Sequence, residues 1–177
     1  MSVQGAYRLI ALAAFASLAL AAYGSDAGPE RQKEVNVWCD QLAARLRSVT
    51  PALCHTQPFV AAPVQTVKGH PLMLRDIAAA GANGKRILVI GGIHGDELTS
   101  VSTVFRWQGW IGQTDASMYR WRLIPVANPD GLLVRPPTRG NGNGVDLNRN
   151  FDTPDWDKDA QAYWIKRAKR DPRRYPG

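Results

Sequence analysis

Two cysteines and three histidines are all that 177 residues supply of the soft side chains favoured by transition metals. Cys39 and Cys54 stand fifteen residues apart with no further cysteine, a poor basis for a metal pair with His55. No internal repeat is present, which removes solenoids and arrays. A basic stripe or nucleic-acid module is missing too. The net charge is +7, but +5 of it sits in one C-terminal stretch holding Lys166, Arg167, Lys169, Arg170, Arg173 and Arg174 with Asp171. That pattern is a solvated charge run, and no nucleic-acid partner is expected.

Long apolar runs are scarce as well. The longest, residues 9–22, is shorter than the ~20 residues of a spanning helix. It follows a short segment with Arg8 as the basic residue, and Ala19-Leu20-Ala21 fits an A-x-A cleavage site. Residues 1–22 therefore read as a secretory signal peptide, with an uncleaved anchor as the alternative. The expected location is periplasmic or secreted, with membrane contact only during export. No cysteine stands directly after the run, which argues against a lipid anchor there. An oxidising compartment makes a Cys39–Cys54 disulfide the preferred reading of the two thiols.

The chain length suits one domain. Residues 30–49 read as an amphipathic helix with Val37, Leu42, Ala43 and Leu46 on one face, stopped by Pro51. Residues 56–63 are loop-like. Residues 64–77 read as a hairpin turning at Lys68-Gly69-His70-Pro71. The run at 86–90, RILVI, suits a strand buried on both faces. Residues 98–110 suit a helix packing Leu98, Val101, Val104, Phe105 and Trp110 on a sheet. A second strand is expected at 121–127, then turn chemistry in NPDG at 128–131, a Gly/Asn-rich loop, and a last helix at 158–169. This alternation marks an α/β fold, in which ligands gather beyond the carboxyl ends of strands. GGIHGDE, residues 91–97, and NPDG both sit there.

His94 and Glu97 offer an imidazole and a carboxylate, good donors for zinc. Gly91 and Gly92 allow a sharp turn, Gly95 close approach to the metal, and Asp96 can hold the loop. Downstream, Arg139 and Arg149 offer planar forks for oxyanions and carboxylates, with Asn148 adjacent. Each cluster alone has a structural alternative: a satisfied strand-end histidine with a helix N-terminal carboxylate, or a basic surface loop. Together they suit metal-assisted hydrolysis beside a substrate carboxylate.

GGIHGDE, NPDG and RGNGNGVDLNRNF, in that order, resemble the zinc carboxypeptidases of the funnelin type, and within them the bacterial murein peptide amidases that cleave γ-D-glutamyl-meso-diaminopimelate bonds. The resemblance is tightest over residues 86–151. It implies the N-terminal part of a mixed-sheet α/β fold with helices on both faces, and Zn2+ as cofactor. It also implies a peptide substrate with a free carboxylate. By that resemblance His94 and Glu97 match two zinc ligands, Arg139 the arginine that polarises the scissile carbonyl, and Asn148 and Arg149 the grip on the terminal carboxylate. The family's third ligand is a histidine well after NRNF, and its general-base glutamate follows later. Here the histidines are His55, His70 and His94, all before that point. The expectation is an N-terminal fragment with an incomplete sheet: a signal peptide at 1–22, a helical disulfide-bearing lead at 23–63, and a truncated catalytic domain at 64–177. Two further readings stay open, an aspartoacylase or succinylglutamate desuccinylase-like amidohydrolase and a secreted, non-catalytic carboxylate-binding remnant.

Overall fold

The computed structural model describes residues 28–79, 85–111 and 118–177, and the expected signal peptide lies outside them. Helix α1 (Pro29–Ala43) starts with proline in its first turn, where no amide donor is needed. It buries Val35, Trp38, Cys39 and Leu42, the i, i+3, i+4, i+7 stripe. Val37, expected on that face, is 51% exposed. The expected helix over 30–49 also ends early. The Arg45 N–H bonds the Leu42 carbonyl, three residues back, and its guanidinium reaches the Leu132 and Val134 carbonyls at 3.2 and 2.9 Å. Leu46 and Val49 are buried from the turn that follows. Helix α2 (Pro51–His55) is capped by the Thr50 hydroxyl.

Cys39 and Cys54 are joined in a disulfide with Cα atoms 5.6 Å apart, fully buried between α1 and α2. By chain entropy, closing a fifteen-residue loop is worth about 3 kcal/mol. Replacing both cysteines by alanine should lower stability by about that much in urea unfolding. Unchanged stability would mean the crosslink constrains little. Beside it, Trp38, Phe59 and Phe105 form an aromatic cluster with centroids 5.2 to 6.2 Å apart, the centre of the core shared by α1, the sheet and α3.

Among the described residues the sheet has four strands, β1 (Val60–Gln65), β2 (Pro71–Ile77), β3 (Lys85–Ile90) and β4 (Tyr119–Ile124), in the order β1-β2-β4-β3. Both β1–β2 and β2–β4 are antiparallel; β3–β4 is parallel. The parallel pair is linked through α3 (Leu98–Ile111), and the whole is a mixed α/β fold. Strand β1 begins inside the stretch expected as loop. Pro63 is tolerated there because β1 is an edge strand and its register slips between Ala61 and Gln65. The hairpin turns through Gly69 at φ 78°. Strand β3 is not buried on both faces: it ends the sheet order and leaves Leu88 57% exposed. In α3 the inward face is Val101, Val104, Phe105 and Gln108. Trp110 is 53% exposed, because at about 100° per residue it lies opposite Val101. The Arg106 guanidinium sits 5.5 Å from its ring centre.

NPDG proves to start a helix. Asn128 caps α4 (Pro129–Leu133) by accepting the Gly131 N–H at 2.8 Å, with Pro129 in the first turn. The last helix, α5 (Trp156–Lys166), stops before Lys169 and Arg170, which take left-handed φ values of 51° and 59°. Among the described residues no helix is long and apolar enough to cross a membrane.

Candidate metal centre

The loops after β3 and β4 lie side by side because backbone pairing continues past the strands. The Ala127 and Asn128 N–H groups donate to the Gly91 and Gly92 carbonyls at 2.9 and 2.8 Å. Gly92 turns the chain with φ 56°, and its N–H is taken by the Ser100 hydroxyl at 3.0 Å. Gly95 has a different task from the expected one of approaching a metal. A side chain there would meet the Gly131 carbonyl carbon at 2.1 Å, so this glycine lets GGIHGDE press backbone to backbone against α4.

His94, 6% exposed, is held from both sides. Its Nδ1 faces Glu97 Oε1 at 2.9 Å, and its Nε2 faces Asp146 Oδ1 at 2.9 Å. Arg139 closes the group: Nη1 donates to Glu97 Oε1 at 3.0 Å, and Nε is shared between Asp146 Oδ2 at 3.2 Å and the Arg173 carbonyl at 3.0 Å. The structure thus brings His94, Glu97 and Arg139 together and adds Asp146, which the sequence reading did not single out. Asp146 is 1% exposed and also accepts the Asn148 N–H at 3.0 Å, capping the 3-10 turn Leu147–Arg149. Burial alone would raise its carboxyl. The hydrogen bond from His94, the Arg139 charge and the remaining donors outweigh that and hold it below the usual carboxylate range.

A carboxylate whose folded pKa is depressed stabilises the fold above its unfolded pKa, and that stabilisation is lost as pH falls through the folded value. In metal-stripped protein, wild type should therefore lose more stability than Asp146→Asn between about pH 5 and pH 3. Urea unfolding at the two pH values checks this, and parallel losses would contradict it.

Beyond the backbone bond from Asn148 to Asp146, no hydrogen bond among the described residues ties the Asn148 or Arg149 side chain to the group. Asn148 is exposed, and Arg149 Nη1 donates to the Asn148 carbonyl at 2.9 Å. Arg149 lines a cavity of about 270 Å3 with Thr153, Trp156, Tyr163 and Arg174. His55 pairs with Asp40 at 3.1 Å, and the His70 N–H bonds the Thr66 hydroxyl in the hairpin turn at 3.1 Å; neither joins the cluster.

The donor chemistry fits zinc in part. A metal-binding imidazole commonly gives its other ring N–H to a carboxylate, which fixes the tautomer and aims the free nitrogen. Asp146 holds Nε2 in that manner, and Nδ1 is left beside the Glu97 carboxylate. That makes two of the three protein donors of a catalytic zinc site. Among the described residues there is no group of three or more histidine, cysteine or acidic residues able to hold a metal ion.

Murein peptide amidase A of Escherichia coli K12 is 33% identical over 106 residues, covering 59% of this chain and 41% of the relative. Murein peptide amidase A of Vibrio campbellii is 31% identical over 99 residues, covering 56% of this chain and 37% of the relative. The crystal structure of the murein-tripeptide amidase from Escherichia coli O157 is 30% identical, with a TM-score of 0.37 over 52% of this chain and 36% of that one. The chain thus spans about two fifths of the length of these curated relatives. The family model described as "Zinc carboxypeptidase" matches residues 35–173, most of the chain and both halves of the His94–Asp146 cluster, and the chain belongs to the zinc carboxypeptidase family.

Proposed function

We propose that the protein is an exported zinc peptidase acting on cell-wall (murein) peptides. His94 and Glu97 serve as two of its metal ligands. The observation that carries this reading is the aim of His94: a buried carboxylate takes Nε2, and Nδ1 stands 2.9 Å from Glu97 Oε1. Similarity to murein peptide amidases supports the substrate class. The N-terminal apolar run supports export to the periplasm.

When bound, zinc supplies Lewis acidity toward a peptide carbonyl. The other tasks fall to side chains of this chain. Arg139 carries a fixed positive charge next to the ligand pair and is only 18% exposed, so its field is little screened by water. It is suited to stabilising negative charge that grows on the carbonyl oxygen during attack. Its Nη1 bonds Glu97 Oε1, the oxygen that also faces His94, which holds the guanidinium against the ligand pair. Arg149, with Asn148, would orient the substrate by its terminal carboxylate, since a guanidinium fork matches that group in two parallel hydrogen bonds.

The test is hydrolysis of a γ-D-glutamyl-meso-diaminopimelyl peptide by protein purified from its own cells. Turnover should require the free carboxylate, and Arg149→Ala should raise KM far more than it lowers kcat. Turnover of acetyl- or succinyl-amino acids in its place would move the assignment to the deacylase branch. Carboxylate binding without hydrolysis of either would leave a binding protein.

A further inference from the structure

Segment 172–176 is a strap along the metal centre. Asp171 caps its first turn by accepting the Arg173 N–H at 2.9 Å. The Tyr175 ring lies 5.0 Å from that of Trp164, and the Pro176 carbonyl accepts Asn150 Nδ2 at 2.5 Å. Two carbonyls of the strap then reach the cluster itself. That of Arg173 accepts Arg139 Nε at 3.0 Å, and that of Tyr175 accepts the Asp146 N–H at 2.7 Å. The Arg173 side chain also reaches the loop after β3, where its Nη2 donates to Asp96 Oδ2 at 3.1 Å. Asp96 lies between His94 and Glu97 in the sequence. Its side chain is three-quarters buried, and its Oδ1 is buried without a partner, so Arg173 is what compensates this carboxylate.

We propose that Arg173 is a positioning residue of the centre. Its ion pair with Asp96 latches the strap to the loop that carries His94 and Glu97, while its carbonyl fixes Arg139. The significance for catalysis rests on the metal-centre reading above; the latch itself does not. An exposed ion pair is worth little by itself. Here it joins two segments that hold the same arginine through different atoms, Nε and Nη1. Losing either charge lets the Arg173 carbonyl drift from Arg139 Nε without unfolding the core cluster around Trp38, to which no strap residue belongs.

The experiment follows the Arg139 Nε–H by NMR solvent exchange, alongside thermal unfolding, in wild type, Asp96→Asn, Arg173→Ala, Arg173→Lys and the Asp96→Asn/Arg173→Ala double variant. Each charge-removing change should speed that exchange by about fivefold, the upper end for such a pair. The double variant should be no faster, Arg173→Lys should recover much of the loss, and core amides should keep their rates. An unchanged Arg139 rate, additive effects in the double variant, or exchange that rises throughout the core would each overturn the latch. Zinc uptake, measured on the same samples, reports separately on the metal-centre reading, because Arg139 exchange can be read in metal-free protein.

Discussion

Gly95→Ala leaves little folded protein. The added methyl would lie 2.1 Å from the Gly131 carbonyl carbon, 2.3 Å from the Leu132 nitrogen and 2.5 Å from the Gly131 oxygen. All three are backbone atoms of α4, and they cannot turn aside as a side chain can. Helix α4 is fixed in place, since Asn128 caps it and donates from Nδ2 to the Arg139 carbonyl at 3.0 Å. Overpacking in a core typically costs ~1–3 kcal/mol. A backbone collision at this distance should exceed that range, a large share of the roughly 5–15 kcal/mol that holds a domain together. Gly109→Ala is the matched control. It lies within α3, a side chain there meets nothing within 4 Å, and the change should stabilise the helix by about 1 kcal/mol. Thermal and urea unfolding of the two variants should move in opposite directions. A Gly95→Ala protein within about 1 kcal/mol of wild type would show that the loop and α4 are not pressed together.

If His94 and Glu97 hold zinc as proposed, His94→Ala should remove the metal and also weaken the fold, whereas Glu97→Gln should remove it and leave the fold nearly as stable. The difference comes from burial. Asp146 is 1% exposed, and without His94 it keeps the Arg139 Nε and the Asn148 N–H but loses a charge-assisted partner. Leaving such an oxygen underpaired costs about 1–3 kcal/mol. The Glu97 side chain is 54% exposed, so water can replace the bonds it gives up. Unfolding in chelator reports the structural part, and metal analysis of the folded proteins reports the ligand part. Equal losses of stability in the two variants would contradict the division of roles.

His94 and Glu97 were legible because both lie in seven residues that follow an apolar strand, where an α/β fold gathers its ligands. Arg139 could be placed only through resemblance, since forty-two residues separate it from Glu97 and no periodicity links them. Asp146 was visible as the first residue of DLNRNF, yet its burial against His94 depends on the β3 and β4 loops meeting, which is tertiary information. The principle that a ligating histidine shares its second nitrogen with a carboxylate could have pointed to it. Gly95 was read for the wrong neighbour, because its constraint comes from α4, thirty-six residues on. Val37 and Trp110 show how periodicity alone misassigns a face: each is apolar, and each lies off the stripe its helix buries. Pro63 hides a strand for a related reason, since an edge position forgives a missing donor that a central one would not.

The central claim is that His94 and Glu97 help hold a zinc ion. It is tested most directly by the zinc content of protein purified from its own cells, measured by mass spectrometry of the metal against protein concentration. One zinc per chain in wild type, and none in folded His94→Ala or Glu97→Gln, is the predicted result. Metal-free wild type, or zinc that survives both substitutions, would contradict it.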